Sequence, residues 1–210
     1  MDESQISSIV WERIENFVGF GRRDAPVVFI GMEEGLKEAG DLLADLAIRS
    51  TYEHPVMDLK EAHRDVAGTE RYFDPDSAPR QPTWRVMADL MLRREGSKSP
   101  TGDERRRYRA LRLGRSGGDT LLAELLPYPH PKNSDWLYKP FGKFETRADY
   151  ENSLLPERKR LLSGVLGETR RELRLADANG ARVLLTTHFA DRGFNTDVQL
   201  EELARVALQR

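Results

Sequence analysis

The chain has 210 residues, with 33 lysines and arginines against 35 aspartates and glutamates, so its formal net charge is only −2. It contains no cysteine, which excludes disulfides, thiolate zinc sites, cysteine-ligated iron–sulfur clusters and a cysteine nucleophile. No segment reaches the roughly 20 apolar residues of a membrane span, and the acidic, polar N-terminus does not resemble a signal peptide. We expect one cytoplasmic, monomeric domain over residues 1–210.

Helix-like and strand-like patterns alternate along the first part of the chain. Apolar residues recur at helical spacing over residues 4–18. The continuous apolar run at 27–30 then predicts a strand buried on both faces, as in a parallel sheet. A second helix is predicted over 36–48. Residues 49–82 are rich in His, Asp and Pro, which indicates long loops around a site.

The alternation continues towards the C-terminus. Thr83 is predicted to cap a helix that runs to about residue 94, and 120–126 is a second apolar run that predicts a strand. A long helical pattern covers 154–176, residues 182–187 predict a third buried strand, and the last helix begins near residue 196. Strands that alternate with helices favour a three-layer α/β/α sandwich around a mainly parallel central sheet.

A basic excursion occupies about residues 93–118 and is predicted to contain a short helix over 103–113. It includes the run Arg105, Arg106 and Arg107. One interpretation is a solvated face with no specific partner. The other is a phosphate-facing surface, because clustered arginines and lysines provide the electrostatic component of nucleic-acid binding.

Ligands of open α/β sheets bind at the carboxyl ends of the strands. The candidate site loops are therefore those at 31–35, 127–136 and 188–194, which follow the three predicted strands. The first of these loops carries two adjacent glutamates between glycines that permit close backbone approach. Glu34 is the better candidate for ordinary helix N-terminal chemistry, where acidic side chains complement the macrodipole. We expect Glu33, one position earlier, to be functional, because its neighbours would direct it over the strand end.

Three short motifs occur in a characteristic order: IGMEEG at 30–35, LLAELLPYP at 121–129, and LLTTHF at 184–189 followed by RGF at 192–194. This order resembles the uracil-DNA glycosylase superfamily, and the first motif is similar to the form found in its single-strand-selective and mismatch branches. The resemblance covers roughly residues 20–195 and implies a uracil-DNA glycosylase-like α/β/α fold. The iron–sulfur branches of the superfamily are excluded, because the chain has no cysteine.

The resemblance implies roles for individual residues. Glu33 takes the position of the residue that activates water against the sugar C1′. His188 matches the histidine that stabilises negative charge on the departing base, although a core histidine at a strand end is the alternative. Arg192 and Phe194 would lie on the loop that enters the duplex. Phe194 is equally compatible with an anchor for the C-terminal helix.

The base pocket would be formed by Gly31, Met32, Glu124 and a stacking aromatic residue, for which Tyr52 is the nearest candidate. Glu124 stands where many members use an asparagine to read the pyrimidine edge. An ionised glutamate only accepts hydrogen bonds, so it would repel O4 of uracil and accept from the N4 amine of cytosine. This substitution favours a cytosine-type or modified base. The alternative is a glutamate paired with an arginine at a strand end.

The resemblance therefore implies a monofunctional DNA glycosylase that flips a base and leaves an abasic site. The base would be a modified cytosine, as in defence against phages, or uracil, as in base excision repair. No lysine falls in the first or last motif, which argues against a Schiff-base lyase, and the reaction needs no metal or cofactor. The rival hypotheses are a non-catalytic nucleic-acid-binding module on the same fold and a hydrolase of small nucleosides or nucleotides.

Overall fold

The structure is a computed structural model that describes residues 7–36, 42–66, 68–131, 136–165, 200–201 and 204–205. These ranges contain the helices α1 (Ser8–Asn16), α2 (Leu42–Arg49), α3 (Leu59–Ala62), α4 (Pro82–Arg94), α5 (Gly102–Leu111) and α6 (Arg147–Val165). They also contain the strands β1 (Gly19–Gly21), β2 (Val27–Gly31), β3 (Val56–Met57) and β4 (Thr120–Glu124), with short 3-10 helices at Glu70–Phe73 and Lys139–Phe141. The described chain is mixed α/β, as the alternating patterns predict.

The four strands form one mostly parallel sheet in the order β2-β4-β1-β3. β2 runs parallel to β4, with Val27 opposite Thr120 and Gly31 opposite Glu124. β1 runs parallel to β3 but antiparallel to β4. Because β2 and β4 are parallel neighbours, their carboxyl ends lie side by side, and the loops that follow them leave the sheet together.

Helices pack on both faces of this sheet. Leu122 of β4 belongs to a buried cluster with Met91 of α4 and Tyr108 of α5. The adjacent Leu121 lies on the opposite face and packs with Leu162 of α6. This alternation is the period-two pattern of a strand that has apolar partners on each side. The arrangement is compatible with an α/β/α layout.

Some predicted boundaries and burial patterns differ from the observed ones. Helix α4 begins at Pro82, since the fixed φ of proline suits the first helical position, and Thr83 therefore lies inside the helix instead of capping it. Helix α6 begins at Arg147 rather than at residue 154, because the Asp149 carboxylate accepts hydrogen bonds from the Thr146 backbone amide and hydroxyl. In β2, Ile30 is 37% exposed, because β4 is its one strand neighbour in the described ranges.

The short strands β1 and β3 are absent from the sequence-based prediction. β1 is Gly-Phe-Gly, which is too short to show any strand period. A β-carbon at Gly19 would lie 1.9 Å from the carbonyl oxygen of Leu122, and one at Gly21 would lie 2.1 Å from that of Thr120. The two glycines therefore allow the antiparallel approach of β1 to β4.

The predicted strand at 182–187 and most of the predicted last helix lie outside the described residues. Leu200 and Ala204 are helical and pack against Val86 and Leu90 of α4. Among the helices that the structure describes, none combines the length and the apolar character needed to cross a membrane.

Candidate active site

The loop after β2 runs alongside the segment after β4, so two of the three predicted loops meet. The Leu125 amide donates to the carbonyl oxygen of Gly31 at 2.8 Å. Further along, the His130 amide donates to the carbonyl oxygen of Glu34 at 3.0 Å, and His130 forms a parallel bridge with Gly35. The pairing of β2 with β4 therefore continues past the strand ends and fixes the position of the glutamate-containing loop.

Glu124 and Gly31, opposite each other at the strand ends, are in close contact. A β-carbon at residue 31 would lie 2.3 Å from Oε2 of Glu124. The space that glycine leaves open is thus filled by the Glu124 carboxyl group. The sequence predicts close approach at Gly31, and the structure shows that the approaching group belongs to the protein itself.

Glu33 forms a two-pronged ion pair with Arg147 at the start of α6. The two guanidinium nitrogens of Arg147 lie 2.9 and 3.0 Å from the two carboxylate oxygens of Glu33. Nε of the same arginine donates to Glu151, one turn along α6, at 2.7 Å. The Glu33 side chain is 10% exposed. Each carboxylate oxygen keeps one further lone pair with which it can accept a hydrogen bond from a ligand or water.

Glu34 is held by a second arginine, Arg49 at the end of α2. Arg49 is buried and also pairs with Asp45 on its own helix, at 2.5 Å. Burial lowers the pKa of Arg49, but the charges of Glu34 and Asp45 outweigh that effect and leave its pKa raised. Glu34 lies before Leu36, which is not helical, so it does not occupy the first turn of a helix as the sequence suggests.

Within the described ranges, Glu124 is the carboxyl group whose pKa is raised most. Burial is the main cause, and with the neighbouring charges of Glu34 and Glu33 it outweighs the opposing charges of Arg49 and Arg158. The pKa of Glu124 is raised to about 8. At neutral pH Glu124 is therefore mainly the neutral carboxylic acid.

Arg158 of α6 forms hydrogen bonds with the backbone at the end of β4 and at the end of α1. Its guanidinium donates to the carbonyl oxygens of Glu124 (2.7 Å), Leu125 (3.2 Å) and Glu15 (2.9 Å). It is bonded to the main chain of Glu124 and not to its carboxyl group, and within the described ranges no arginine forms an ion pair with that carboxyl group. Arg158 also lines a groove of about 510 Å3 between α1 and α6. The site residues Glu33, Glu34 and Glu124 do not line this groove.

Buried aromatic rings surround the Glu33 side of the site. Tyr128 stacks on Tyr150 at 4.8 Å and packs against Tyr138 at 4.7 Å. Burial raises the pKa of Tyr150, and the nearby charge of Glu33 adds to that effect. All three tyrosines are fully buried, so they pack within the core and their rings are not accessible to a ligand.

The predicted base-binding residues are divided between the site and the core. Met32 lies on the site loop and is 53% exposed. Tyr52, the candidate for stacking on the base, is buried, with its ring 4.7 Å from Phe17 and 6.1 Å from Phe20. Its ring faces are covered by the core, so Tyr52 acts as a packing residue in this structure.

The three arginines of the basic excursion are paired with acceptors. Arg105 binds Asp89, Arg107 lies 3.0 Å from Asp76, and Arg106 lies 2.8 Å from Asp103. Helix α5, which carries the three arginines, begins with a capping box formed by Thr101 and Glu104. Arg107 is the most exposed of the three, at 57% of its side chain, compared with 14% for Arg105. Each arginine of this run is thus paired with a carboxylate.

His188, Arg192 and Phe194 lie outside the described residues, so their predicted roles stay predictions. Across the described ranges, no group of three or more His, Cys, Asp or Glu side chains is arranged to hold a metal ion. Arg49, Arg147 and Arg158 were not predicted from the sequence. The Asp45–Arg49 and Arg147–Glu151 spacings of four residues were the available signal, but such pairs also occur on exposed helix faces.

Comparisons with known proteins identify no relative of this chain. No protein family, no curated protein and no solved structure matches it. The resemblance to uracil-DNA glycosylases therefore stays a prediction from the three sequence motifs, and the functional argument depends on the site itself.

Proposed function

We propose that this chain is a monofunctional glycosylase that hydrolyses the N-glycosidic bond of a base flipped out of DNA. The observation that carries the proposal is the pair of carboxyl groups at adjacent strand ends, Glu33 as an ion pair and Glu124 as a largely neutral acid. Two carboxyl groups in contrasting environments, here one beside a guanidinium and one buried, are the usual arrangement for acid and base roles in one site.

In the proposed reaction, the bond between C1′ and the base nitrogen breaks, and its electron pair leaves with the base. The Glu33 carboxylate stabilises the developing positive charge on the sugar and accepts a proton from the attacking water. The water oxygen forms the new bond to C1′. Glu124 donates a hydrogen bond to the departing base, which finally takes up a proton from solvent. Arg147 holds the carboxylate of Glu33 in place throughout.

The test is a panel of DNAs that contain uracil, hydroxymethylcytosine, glucosylated hydroxymethylcytosine or only normal bases. Alkali converts each abasic site into a strand break, so breaks after incubation report base release. We expect breaks on at least one modified DNA, with Glu33→Gln slowing the reaction by roughly 100-fold or more, as for other general bases. The matched control is Glu151→Gln, which removes the other carboxylate partner of Arg147 but leaves Glu33 intact.

Persistent DNA binding without breaks on any substrate would favour the non-catalytic binding module instead. Breaks that are unaffected by Glu33→Gln would place the chemistry elsewhere in the chain.

A second candidate function is the hydrolysis of free nucleosides or nucleotides. It is favoured by one observation, the pairing of Arg105, Arg106 and Arg107 with carboxylates, which lowers the positive charge available for a DNA backbone. The double variant Arg106→Gln/Arg107→Gln separates the two candidates. A DNA enzyme should bind DNA more weakly and with a smaller salt dependence, whereas a nucleoside hydrolase should keep its full activity.

A further inference from the structure

Arg109 of α5 is a buried cation without a counter-ion in the described part of the chain. The residue is 6% exposed, and no carboxylate of the described ranges lies within ion-pair distance of its guanidinium. Burial lowers the pKa of Arg109, and the positive charges of Arg106 and Arg85 lower it further, although an arginine keeps its proton in a protein. Buried charges are normally paired, so this guanidinium can gain an anionic partner.

Two of the three guanidinium nitrogens of Arg109 have no hydrogen-bond partner among the described residues. The third, Nη1, donates to the carbonyl oxygen of Pro79 at 2.9 Å. Nε is buried and unpaired, whereas the unpaired Nη2 keeps contact with solvent. Nη2 and the hydrogen on Nε form one edge of the planar guanidinium, and such an edge can donate two parallel hydrogen bonds to one phosphate group. A ligand can therefore approach the unpaired edge from the side of Nη2.

Arg106 lies one turn earlier on α5 and borders the same surface, since residues three apart on a helix are neighbours. Its Nε donates to the carbonyl oxygen of Pro75 at 3.1 Å, in the segment that also accepts a hydrogen bond from Arg109. The Arg106 side chain is 30% exposed and lies 2.8 Å from Asp103. Arg106 thus supplies a partly neutralised positive charge, and Arg109 is the main group that a ligand can pair with.

We propose that Arg109, assisted by Arg106, binds a phosphate group at the surface between α5 and residues 75–79. A phosphate has several acceptor oxygens and a negative charge, which match the unpaired guanidinium edge and the two neighbouring cations. The proposed function makes the DNA backbone the expected source of the phosphate, and this part of the inference rests on it. The sequence-based candidates at 105–107 already pair with carboxylates, whereas Arg109 does not.

Fluorescence anisotropy of a short labelled DNA duplex, measured from about 0.05 to about 0.2 M salt, tests the site. Arg109→Gln removes one phosphate contact, so the slope of the logarithm of affinity against the logarithm of salt concentration should become shallower by about 0.9. The affinity near 0.1 M salt should fall by roughly five- to tenfold. The matched control is Arg64→Gln, which removes the same charge from an exposed ion pair with Glu61 and should leave slope and affinity nearly unchanged.

A second measurement uses inorganic phosphate. Phosphate should raise the melting temperature of wild type and of Arg64→Gln above the value in chloride at equal ionic strength, because a ligand of the folded state stabilises it. Arg109→Gln should lose this rise. A phosphate effect that depends on residue 109, without a matching effect on DNA, would make a free phosphate group the ligand. An Arg109→Gln variant that behaves like Arg64→Gln in both measurements would overturn the site.

Circular dichroism checks that Arg109→Gln is folded, because the side chain it replaces is largely buried. If this variant does not fold, Arg106→Gln tests the same site from its partly exposed side. It should weaken the binding of DNA or of phosphate in the same direction. No effect of Arg106→Gln in either measurement would then overturn the proposal.

The two proposals can fail separately. Base release from DNA, with Arg109→Gln binding DNA and phosphate as Arg64→Gln does, would overturn the phosphate site and keep the glycosylase. Weaker DNA binding by Arg109→Gln, with no base release from any DNA by wild type, would keep the phosphate site and overturn the glycosylase.

Discussion

The carboxyl group of Glu124 occupies the space that a side chain at Gly31 would fill, with Oε2 2.3 Å from the position of the missing β-carbon. The two residues are opposite each other in the parallel pairing of β2 and β4. This contact couples the first motif of the sequence to the middle one. It makes a glycine at residue 31 a condition for the observed position of the Glu124 carboxyl group.

Gly31→Ala should therefore displace the Glu124 carboxyl group without unfolding the chain, because the obstructing atoms belong to the end of a flexible side chain. We expect a loss of base release with little change in melting temperature. The matched control is Gly35→Ala on the same loop, where a β-carbon would meet nothing within 4 Å. Equal activity in both variants would show that the position of the Glu124 carboxyl group does not matter.

The raised pKa of Glu124 predicts a pH-dependent contribution to stability. Its ordinary value is 4.5 and its folded value is about 8, so the folded state binds more protons between these two pH values. The stabilisation is complete below about pH 4.5 and is lost as the pH rises through 8, with a slope of at most about 1.4 kcal/mol per pH unit.

Urea unfolding of wild type and Glu124→Gln at several pH values measures this contribution. The free energy of unfolding of wild type should fall relative to that of the variant as the pH rises from 5 to 8. Parallel pH profiles for the two proteins would contradict the assignment of a neutral Glu124.

The ion pairs of Asp89 indicate that Arg93 and Arg105, at the basic excursion, stabilise the fold. Its side chain is only 2% exposed and lies between Arg93 and Arg105. Asp89→Asn should lower the free energy of unfolding by roughly 3–5 kcal/mol, because it neutralises a buried carboxylate that two guanidinium groups share. Asp76→Asn, which removes the partner of the exposed Arg107, should cost less than about 1 kcal/mol. Similar losses in both variants would contradict the structural role of Arg105.

The ion pair between Arg147 and Glu33 predicts that Arg147 holds the Glu33 carboxylate in position. Removing its guanidinium by Arg147→Gln leaves the Glu33 carboxylate free to rotate away from the strand end. We expect kcat to fall by roughly 10- to 100-fold with a smaller change in KM, since misplacement of a catalytic group affects mainly the chemical step. Arg147→Lys should restore part of the rate, because lysine keeps the charge but not the two-pronged geometry. Full activity of Arg147→Gln would show that Glu33 does not need this partner.

The sequence predicted the strands β2 and β4, because continuous apolar runs are a strong signal, and it selected the loops after them as candidate sites. That these two loops meet is known only from the structure. It did not predict that Arg147 pairs with Glu33, which lies 114 residues away in the chain, since no local pattern reports such contacts. Tyr52 was chosen as a stacking residue from its place in a presumed loop. The structure places it in the core with Phe17 and Phe20, and its position in the sequence does not reveal these tertiary contacts.

The protonation of Glu124 could not be predicted from the sequence either. It results from burial and from two carboxylates on a neighbouring loop, and both depend on the tertiary arrangement. This difference matters for function, because the sequence-based preference for cytosine assumed that the group is ionised.

Base release is the central claim, and mass spectrometry of the free base tests it most directly. DNA that contains uracil or a modified cytosine is incubated with wild type or with Glu33→Gln, and the small-molecule fraction is analysed without alkali. We predict a free base from at least one DNA with wild type and at least about 100-fold less with Glu33→Gln. No free base from any of these DNAs, with a folded wild-type protein, would contradict the glycosylase assignment.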